Sequence, residues 1–502
     1  MSTEHLDVLI VGAGLSGVGA AYRIQTMCPN KSYAILEGRA DLGGTWDLFR
    51  YPGIRSDSDM FTLGYPFAPW TGEKSIATGS DILNYIKETA EKHGIDRRIR
   101  YNHRVESASW SSDDARWTVD VSRGEQTETL TCNFLYLCSG YYSYEKAHTP
   151  DFPGIENFGG DIVHPQRWPD DLDYTGKKVI VIGSGATAVT LVPAMADQTA
   201  HITMLQRSPS YIAALPATDP VADKLREILP GQFAHSIVRV KNAALNQGLY
   251  QFCRLAPNLA RKLLQAGVEK EVGSSIAIDP NFTPTYNPWD QRLCMAPDGD
   301  LFEAIKARKA SVVTDRISRF TTDGVELESG MTLDADIVIT ATGLELVASG
   351  QIDMTVDDEE IETGSGVVYR GLMSSDIPNF AWCVGYTNAS WTLRADLSSR
   401  FVCRFLTYLD RHDYDYGVPY ISDPKMELRP ILDLTSGYVQ RVISFLPKQG
   451  TKSPWLLRQN YFIDSLSVRF GRIDRNMRFG RKRRVPSRTS VTATEPPARL
   501  LA

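Results

Sequence analysis

Twice in this 502-residue chain, at residues 7–27 and 178–197, a short apolar strand runs straight into a glycine-rich turn and then a helix-prone stretch. A strand that feeds a helix through so tight a turn commits the chain to crossover connections and hence to parallel sheet. The first copy reads Asp7-Val-Leu-Ile-Val11, then Gly12-Ala13-Gly14-Leu15-Ser16-Gly17, then a segment free of helix breakers to Met27. Gly12 permits the turn, Gly14 lets backbone approach a pyrophosphate, and Gly17 allows the helix to pack closely, with its N-terminus toward the anion. The next strand, Tyr33 to Leu36, ends in Glu37, 20 residues beyond Gly17. A carboxylate at that point accepts hydrogen bonds from ribose hydroxyls, as in FAD or NAD sites.

The second copy is Lys178-Val-Ile-Val-Ile182, then Gly183-Ser184-Gly185-Ala186-Thr187-Ala188, then a helix expected to about Asp197. Its following strand, His201 to Leu205, closes on Gln206-Arg207-Ser208 without an acid. A carboxylate there would repel a 2′-phosphate, whereas a guanidinium pairs with one bidentately, so this half favours NADPH over NADH.

A third apolar run, Asp336-Ile-Val-Ile-Thr340, reaches Ala341-Thr342-Gly343, and a related strand spans Asn133 to Ser139. The fold class expected is α/β, with two Rossmann-type dinucleotide-binding domains. Residues 1–145 and 345–502 form the FAD domain, 146–164 a linker, and 165–344 the NADPH domain. Between about 216 and 273 the apolar positions take helical spacing, as in Leu225-Ile228-Leu229 and Leu259-Leu263-Leu264. This segment is read as a helical insertion that narrows a pocket.

Seven scattered cysteines without a C-x-x-C pair argue against a disulfide framework, a zinc site or a dithiol redox centre, and no metal is expected. The mild net charge of -6 does not suggest a nucleic-acid binder. The chain enters a strand without the basic start and apolar core of a secretory signal, and no run approaches a membrane span. These features point to the cytoplasm. The basic stretch Arg478 to Arg488 leads into a tail, 485–502, expected to be disordered, with weak peripheral contact to an anionic membrane surface as the sharper reading.

Between the two loops lie Phe158, Gly160, His164, Trp168 and Pro169, spaced F-x-G-x-x-x-H-x-x-x-W-P. Ahead of them stand Gly43-Gly44-Thr45-Trp46, Tyr51-Pro52-Gly53 and Asp57. Both patterns closely resemble signatures of the type I Baeyer-Villiger flavin monooxygenases, and the resemblance runs from about Leu6 to Lys482. The stretches Tyr286–Leu293, Gly385–Trp391 and Leu446–Gly450 look like the ethionamide-monooxygenase branch.

The resemblance implies FAD contacts at Gly12, Gly14, Ser16, Gly17, Glu37, Thr45, Trp46, Asp47, Leu48, Asp57 and Val105. It implies NADP contacts at Arg55, Ser56, Gly183, Ser184, Gly185, Thr187, Ala188, Arg207 and Ser208. Arg292 falls where the family has its active-site arginine, with Asp57 as partner, and His164 and Trp168 are expected to couple the domains. Many members carry Lys immediately before that arginine. Here it is Gln291, which leaves Arg207 most of the NADPH discrimination. The implied activity is insertion of one atom of O2 into a ketone, giving an ester or lactone by way of a peroxyflavin, with S-oxygenation of thioethers or thioamides beside it. Two alternatives stay open: an S- or N-oxygenating flavin monooxygenase that makes no ester, and a flavin- and NADPH-binding redox sensor. Trp289, Tyr286 and Trp391 are expected to line an apolar substrate pocket.

Overall fold

A computed structural model of the chain describes residues 3–347, 349–432 and 434–483. Most of the basic tail, from 484 on, lies outside the described residues, and with it most of the expected membrane contact. Among the described residues no helix is long and apolar enough to cross a membrane.

Two sheets organise the chain. The larger orders its strands as Glu359–Glu360, Asp353–Val356, Arg104–Ser111, Arg116–Arg123, Gln126–Leu137, Glu4–Val11, Tyr33–Leu36 and Ile99–Arg100, with Phe380–Trp382 also paired to Gln126–Leu137. Glu4–Val11 sits between Tyr33–Leu36 and Gln126–Leu137, parallel to both. Its burial on both faces explains the nearly unbroken apolar run that marks it in sequence. Arg116–Arg123 belongs to an antiparallel meander and alternates instead, with Trp117, Val119 and Val121 inward. The long strand Gln126–Leu137 leaves this meander halfway, and its second half pairs in parallel with Phe380–Trp382.

The smaller sheet is wholly parallel, in the order Ala310–Thr314, His201–Gln206, Lys178–Ile182, Ile337–Thr340 and Asp161–Val163. Asp161–Val163 belongs to the segment expected to be a linker. It is an edge strand, and Phe158 just before it packs with Ile180, Phe320 and Val338. The start of the fingerprint is therefore part of the second domain's core.

The helical insertion consists of Pro220–Ile228, Gly231–Leu255 and Pro257–Val272. Its residues are not among those that line the two cavities described below. It brackets the two domains instead. The buried Arg239 guanidinium donates to the carbonyls of Phe61, Thr62 and Gly64 at 2.7, 3.0 and 2.7 Å. The first two of these helices pack Ala222 and Val238 against Phe61 and Trp70 of the first domain, and the three charge-assisted bonds from Nη1 offset part of the cost of burying the cation.

Candidate functional site

Both glycine turns end at helices whose N-caps, Gly14 and Gly185, provide no capping side chain, and neither helix has an acid in its first turn. Backbone N–H groups and the positive end of each helix are thus left to whatever anion approaches. Gly12, at φ +99°, could not bear a side chain without meeting the Cys138 carbonyl oxygen at 2.7 Å. A Cβ on Gly17 would lie 1.9 Å from the Gly12 carbonyl oxygen, so that glycine closes helix onto strand. At Gly14 the nearest atom to an added Cβ would be the Gly44 Cα at 3.5 Å. The turn and the Gly43–Gly44 segment therefore make a floor of bare backbone.

Above this floor lies a cavity of about 500 Å³, walled by Gly12, Gly14, Ser16, Glu37, Thr45, Trp46, Arg55, Ser56, Asp57, Val105 and Arg292 among others. Glu37 stands at the strand tip with one carboxylate oxygen accepting the Ala13 N–H (2.8 Å) and the other the Arg39 N–H (3.0 Å). Each oxygen keeps a lone pair for a hydroxyl donor. Burial pushes this carboxyl up, and the two backbone bonds oppose the shift. The uncapped helix, the backbone floor and the strand-tip acid fit the phosphate and ribose of a dinucleotide such as FAD.

Of the first-domain positions expected in the site, Gly17, Asp47 and Leu48 do not reach this cavity. Thr45–Leu48 is one helical turn, so when Thr45 and Trp46 face the cavity the next two residues rotate away. Asp47 is buried and pairs with Arg39 at 2.6 Å.

The second loop sits higher. Gly183, Ser184, Gly185, Thr187 and Ala188 are outside the cavity, and of this turn only Ala186 enters the wall. Arg207 and Ser208 are exposed at the end of their strand. The Ser184 hydroxyl donates to the Ser208 carbonyl at 2.9 Å, tying the two edges of the rim together. A Cβ on Gly185 would meet nothing within 4 Å. That open space, above an uncapped helix and beside a free-standing guanidinium, fits the pyrophosphate and 2′-phosphate of NADPH. Ala188, wholly buried, takes the helix-packing place that Gly17 fills in the first loop.

The two domains meet along Tyr51-Pro52-Gly53. Thr187 hydrogen-bonds the Tyr51 hydroxyl, which burial pushes up to about 12. Gly53, at φ +74°, lies so close to the helix Ala186–Met195 that a Cβ would come within 2.5 Å of Ala194. Arg55, expected at NADP, forms an ion pair with Asp300 of the second domain. The fingerprint adds another tie: Gln166, buried, donates to the Ser143 carbonyl at 2.5 Å, and its own N–H is accepted by His164 Nδ1 at 3.1 Å. Burial lowers the His164 pKa, which keeps the ring neutral, and Trp168 packs against the second core. Gln166 went unread in the sequence, since an amide inside a motif carries no signal until its partner is known.

Arg292 projects into the far end of the cavity, open to it yet crowded by protein on its other sides. Its pKa is raised, first by Tyr141 and then by Tyr438, Tyr142 and Asp57, against the cost of burial. The Tyr141 ring stacks on Trp391 at 5.0 Å, and Trp391 Nε1 donates to Ser16 at 2.7 Å, linking the arginine's surroundings to the first helix. Tyr386 donates to the buried Asp464 at 2.8 Å, which Arg394 also holds at 2.9 Å. These tyrosines were not singled out in sequence, because single tyrosines without spacing are indistinguishable from core.

A second, apolar chamber of about 70 Å³ begins where the first ends, sharing Tyr141, Arg292, Tyr386 and Trp391 with it and adding Leu346, Trp382, Ile431, Leu432 and Tyr438. Trp289 and Tyr286, expected here, are elsewhere: Trp289 packs edge-on to Tyr250 at 5.6 Å and Tyr286 to Tyr211 at 5.4 Å.

Asp57 and Arg292 interact through space without an ion pair at 4.0 Å or less. Burial pushes the Asp57 carboxyl up to about 6, although Arg55 and Arg292 pull it down. Because the folded value lies above the ordinary 3.8, the ionised form is disfavoured by folding. That cost is absent below about pH 4 and fully present above about pH 6. Asp57→Asn is therefore expected to stabilise the FAD-free protein at pH 7.5 by on the order of 2 kcal/mol. The gain should shrink as pH falls toward 5. Thermal melts of both proteins across that range test this, and a variant less stable than the parent at pH 7.5 would refute the assignment.

Comparison with known proteins bears on this arrangement. Residues 65–219 match the family model of flavin-binding monooxygenase-like proteins, and residues 10–70 that of the NAD(P)-binding Rossmann-like domain. The chain is 52% identical to the FAD-containing monooxygenase EthA of Mycobacterium tuberculosis over 96% of its own length and 99% of that protein's. It is 51% identical to EthA of Mycolicibacterium smegmatis over 94% and 96%. Among solved structures, an oxidised steroid monooxygenase bound to NADP superimposes with a TM-score of 0.75 at 22% identity, covering 95% of this chain and 100% of that one. OTEMO in complex with FAD and NADP does so at 0.69 and 23%, covering 83% and 87%.

Proposed function

Because the chain belongs to the FAD-containing monooxygenases of the EthA branch, within the type I Baeyer-Villiger group, and is thus an NADPH-dependent flavin enzyme that uses O2 on a small molecule, we propose that its reaction is oxygen insertion into apolar ketones to give esters or lactones. The observation that carries this reading is that Arg292 belongs to the walls of both the cofactor-sized cavity and the apolar chamber. FAD, reduced by NADPH, supplies the oxygen-activating chemistry. Gly12, Gly14, Ser16, Glu37, Thr45 and Trp46 would hold FAD, and Ser184, Thr187, Arg207 and Ser208 would hold NADPH. His164, Gln166 and Trp168 would pass motion of one domain to the other.

The substrate carbonyl would enter the chamber with its oxygen toward Arg292. A guanidinium stays charged at any working pH and gives no proton away, so it favours the negative charge that develops on oxygen as a carbonyl carbon is attacked. Leu346, Ile431 and Leu432 exclude water and leave that charge unscreened. Asp57 would set the orientation of Arg292. Thioethers and thioamides suit the same apolar walls, and their S-oxygenation is the second activity proposed.

The reading is tested by supplying purified, FAD-loaded enzyme with NADPH, O2, a medium-chain ketone and a matched thioether, then identifying the products. Ester from the ketone is the expected result. Sulfoxide without ester would move the reaction to sulfur alone. Peroxide with neither product would remove oxygen transfer and favour a redox-sensing role.

A further inference from the structure

Five residues with side-chain hydrogen-bond donors belong to the walls of both the cofactor-sized cavity and the apolar chamber: Ser139, Tyr141, Arg292, Tyr386 and Trp391. Two of these donors are already committed, Trp391 Nε1 to Ser16 and the Tyr386 hydroxyl to Asp464. Ser139 Oγ lies against Gly350, 2.8 Å from where a Cβ on that glycine would stand. Tyr141 is held differently. Gly140, at φ +74°, turns the chain just ahead of the strand Tyr142–Ala147. Consecutive residues within a strand point to opposite faces, yet the Tyr141 and Tyr142 rings lie 4.2 Å apart and their hydroxyls meet at 2.8 Å.

Two hydroxyls hold two hydrogens, and the bond between them uses one. Whichever phenol donates, the other keeps an O–H to give elsewhere. Tyr142 lines the cofactor-sized cavity alone, whereas Tyr141 reaches the apolar chamber as well, so a ligand in that chamber meets Tyr141. Burial pushes the Tyr142 phenol up, which keeps it protonated. The pair also stands close to the guanidinium. Among the groups that bear on Arg292 electrostatically, Tyr141 comes first, ahead of Tyr438, Tyr142 and Asp57.

We propose that Tyr141 is a second donor to the substrate's carbonyl oxygen beside Arg292, with Tyr142 as a positioning residue whose hydroxyl donates to Tyr141 Oη. This rests on the reading of the reaction as oxygen insertion into ketones and deepens it, because it names a residue that treats a ketone and a thioether differently. When a carbonyl carbon is attacked, its oxygen gains negative charge, and a neutral donor already aimed there stabilises that charge without giving up its proton. Donation from Tyr142 polarises the Tyr141 hydroxyl and makes it a better donor. A thioether has no carbonyl oxygen, so its oxygenation draws nothing from the pair.

The test compares the FAD-loaded parent with Tyr141→Phe and Tyr142→Phe. Each receives NADPH, O2 and an equimolar mixture of a medium-chain ketone and a matched thioether, and ester and sulfoxide are measured together. The melting temperature and the anaerobic rate of flavin reduction by NADPH are recorded alongside. Tyr141→Phe keeps the ring that stacks on Trp391, so both of these should be unchanged. Its ester yield is expected to fall on the order of 10²-fold while sulfoxide stays within about twofold of the parent. Tyr142→Phe should show the same split in smaller measure. Ester and sulfoxide falling together would make Tyr141 a packing residue, and undiminished ester from Tyr141→Phe would leave Arg292 acting alone. Either result overturns the inference and leaves the oxygen-insertion reading standing, whereas absence of ester from the parent itself would remove both.

Discussion

Arg292→Ala is expected to yield a protein that still binds FAD and still oxidises NADPH, while product formation from a ketone falls by ~10²–10³ or more. The expectation follows from where the side chain stands. Arg292 is the guanidinium common to the two cavities, and it carries its charge at any working pH. None of the FAD-cradling features, the Gly12 turn, the Glu37 carboxylate or the Gly43–Gly44 floor, depends on it. Electrons should thus flow with nothing to stabilise charge on the substrate oxygen, and peroxide should account for the NADPH consumed. Arg292→Lys, which keeps a charge but loses the planar fork, should recover only a fraction of the product. The ratio of ester to NADPH, with peroxide measured in parallel, decides the matter. Ester from Arg292→Ala within tenfold of the parent would take the arginine out of the chemistry.

Gly17→Val should be the most damaging single change in the first domain, costing more than about 4 kcal/mol and giving a colourless, largely unfolded protein. The added carbon would meet the Gly12 carbonyl oxygen at 1.9 Å, backbone against backbone, with no flexible side chain to yield. Gly185→Ala makes the informative comparison. Its Cβ would enter open space and its φ of −82° suits any residue, so the fold should be unaffected. If that space is the one NADPH phosphate occupies, however, the KM for NADPH should rise severalfold at unchanged melting temperature. A Gly185→Ala enzyme with parental KM would mean that the second loop does not approach the cofactor so closely. A stable, yellow Gly17→Val protein would show that the helix can shift off its strand.

Much of this could be read from the chain because the informative features are local. Tyr33–Leu36 and Lys178–Ile182 have the bounds expected of them, and the first helix ends at Met27. Such strands are buried on both faces and bounded by glycine turns, so periodicity, breakers and length all agree. The antiparallel meander from Arg104 to Leu137 was visible only in its last strand, since alternating half-buried segments resemble ordinary surface. Trp289 and Tyr286, expected at the apolar pocket as aromatic residues, pack instead on Tyr250 and Tyr211, partners that lie far from them in the chain and that no local window reveals.

What the sequence determined by itself was the pair of nucleotide folds, the charge preference at each ribose and the membership of the chain in a flavin monooxygenase family. Those depend on glycines where the backbone must approach a phosphate and on a charge at the end of a strand, and each is specified within some thirty residues. Only the tertiary structure brought Arg292, three tyrosines, Trp391 and Asp57 to one junction from five separated segments. Only it showed that the fingerprint begins inside a domain. The physical reason is that burial and through-space charge act over a few ångströms regardless of distance along the chain. A residue's role in such a place is set by neighbours that its own sequence window does not contain.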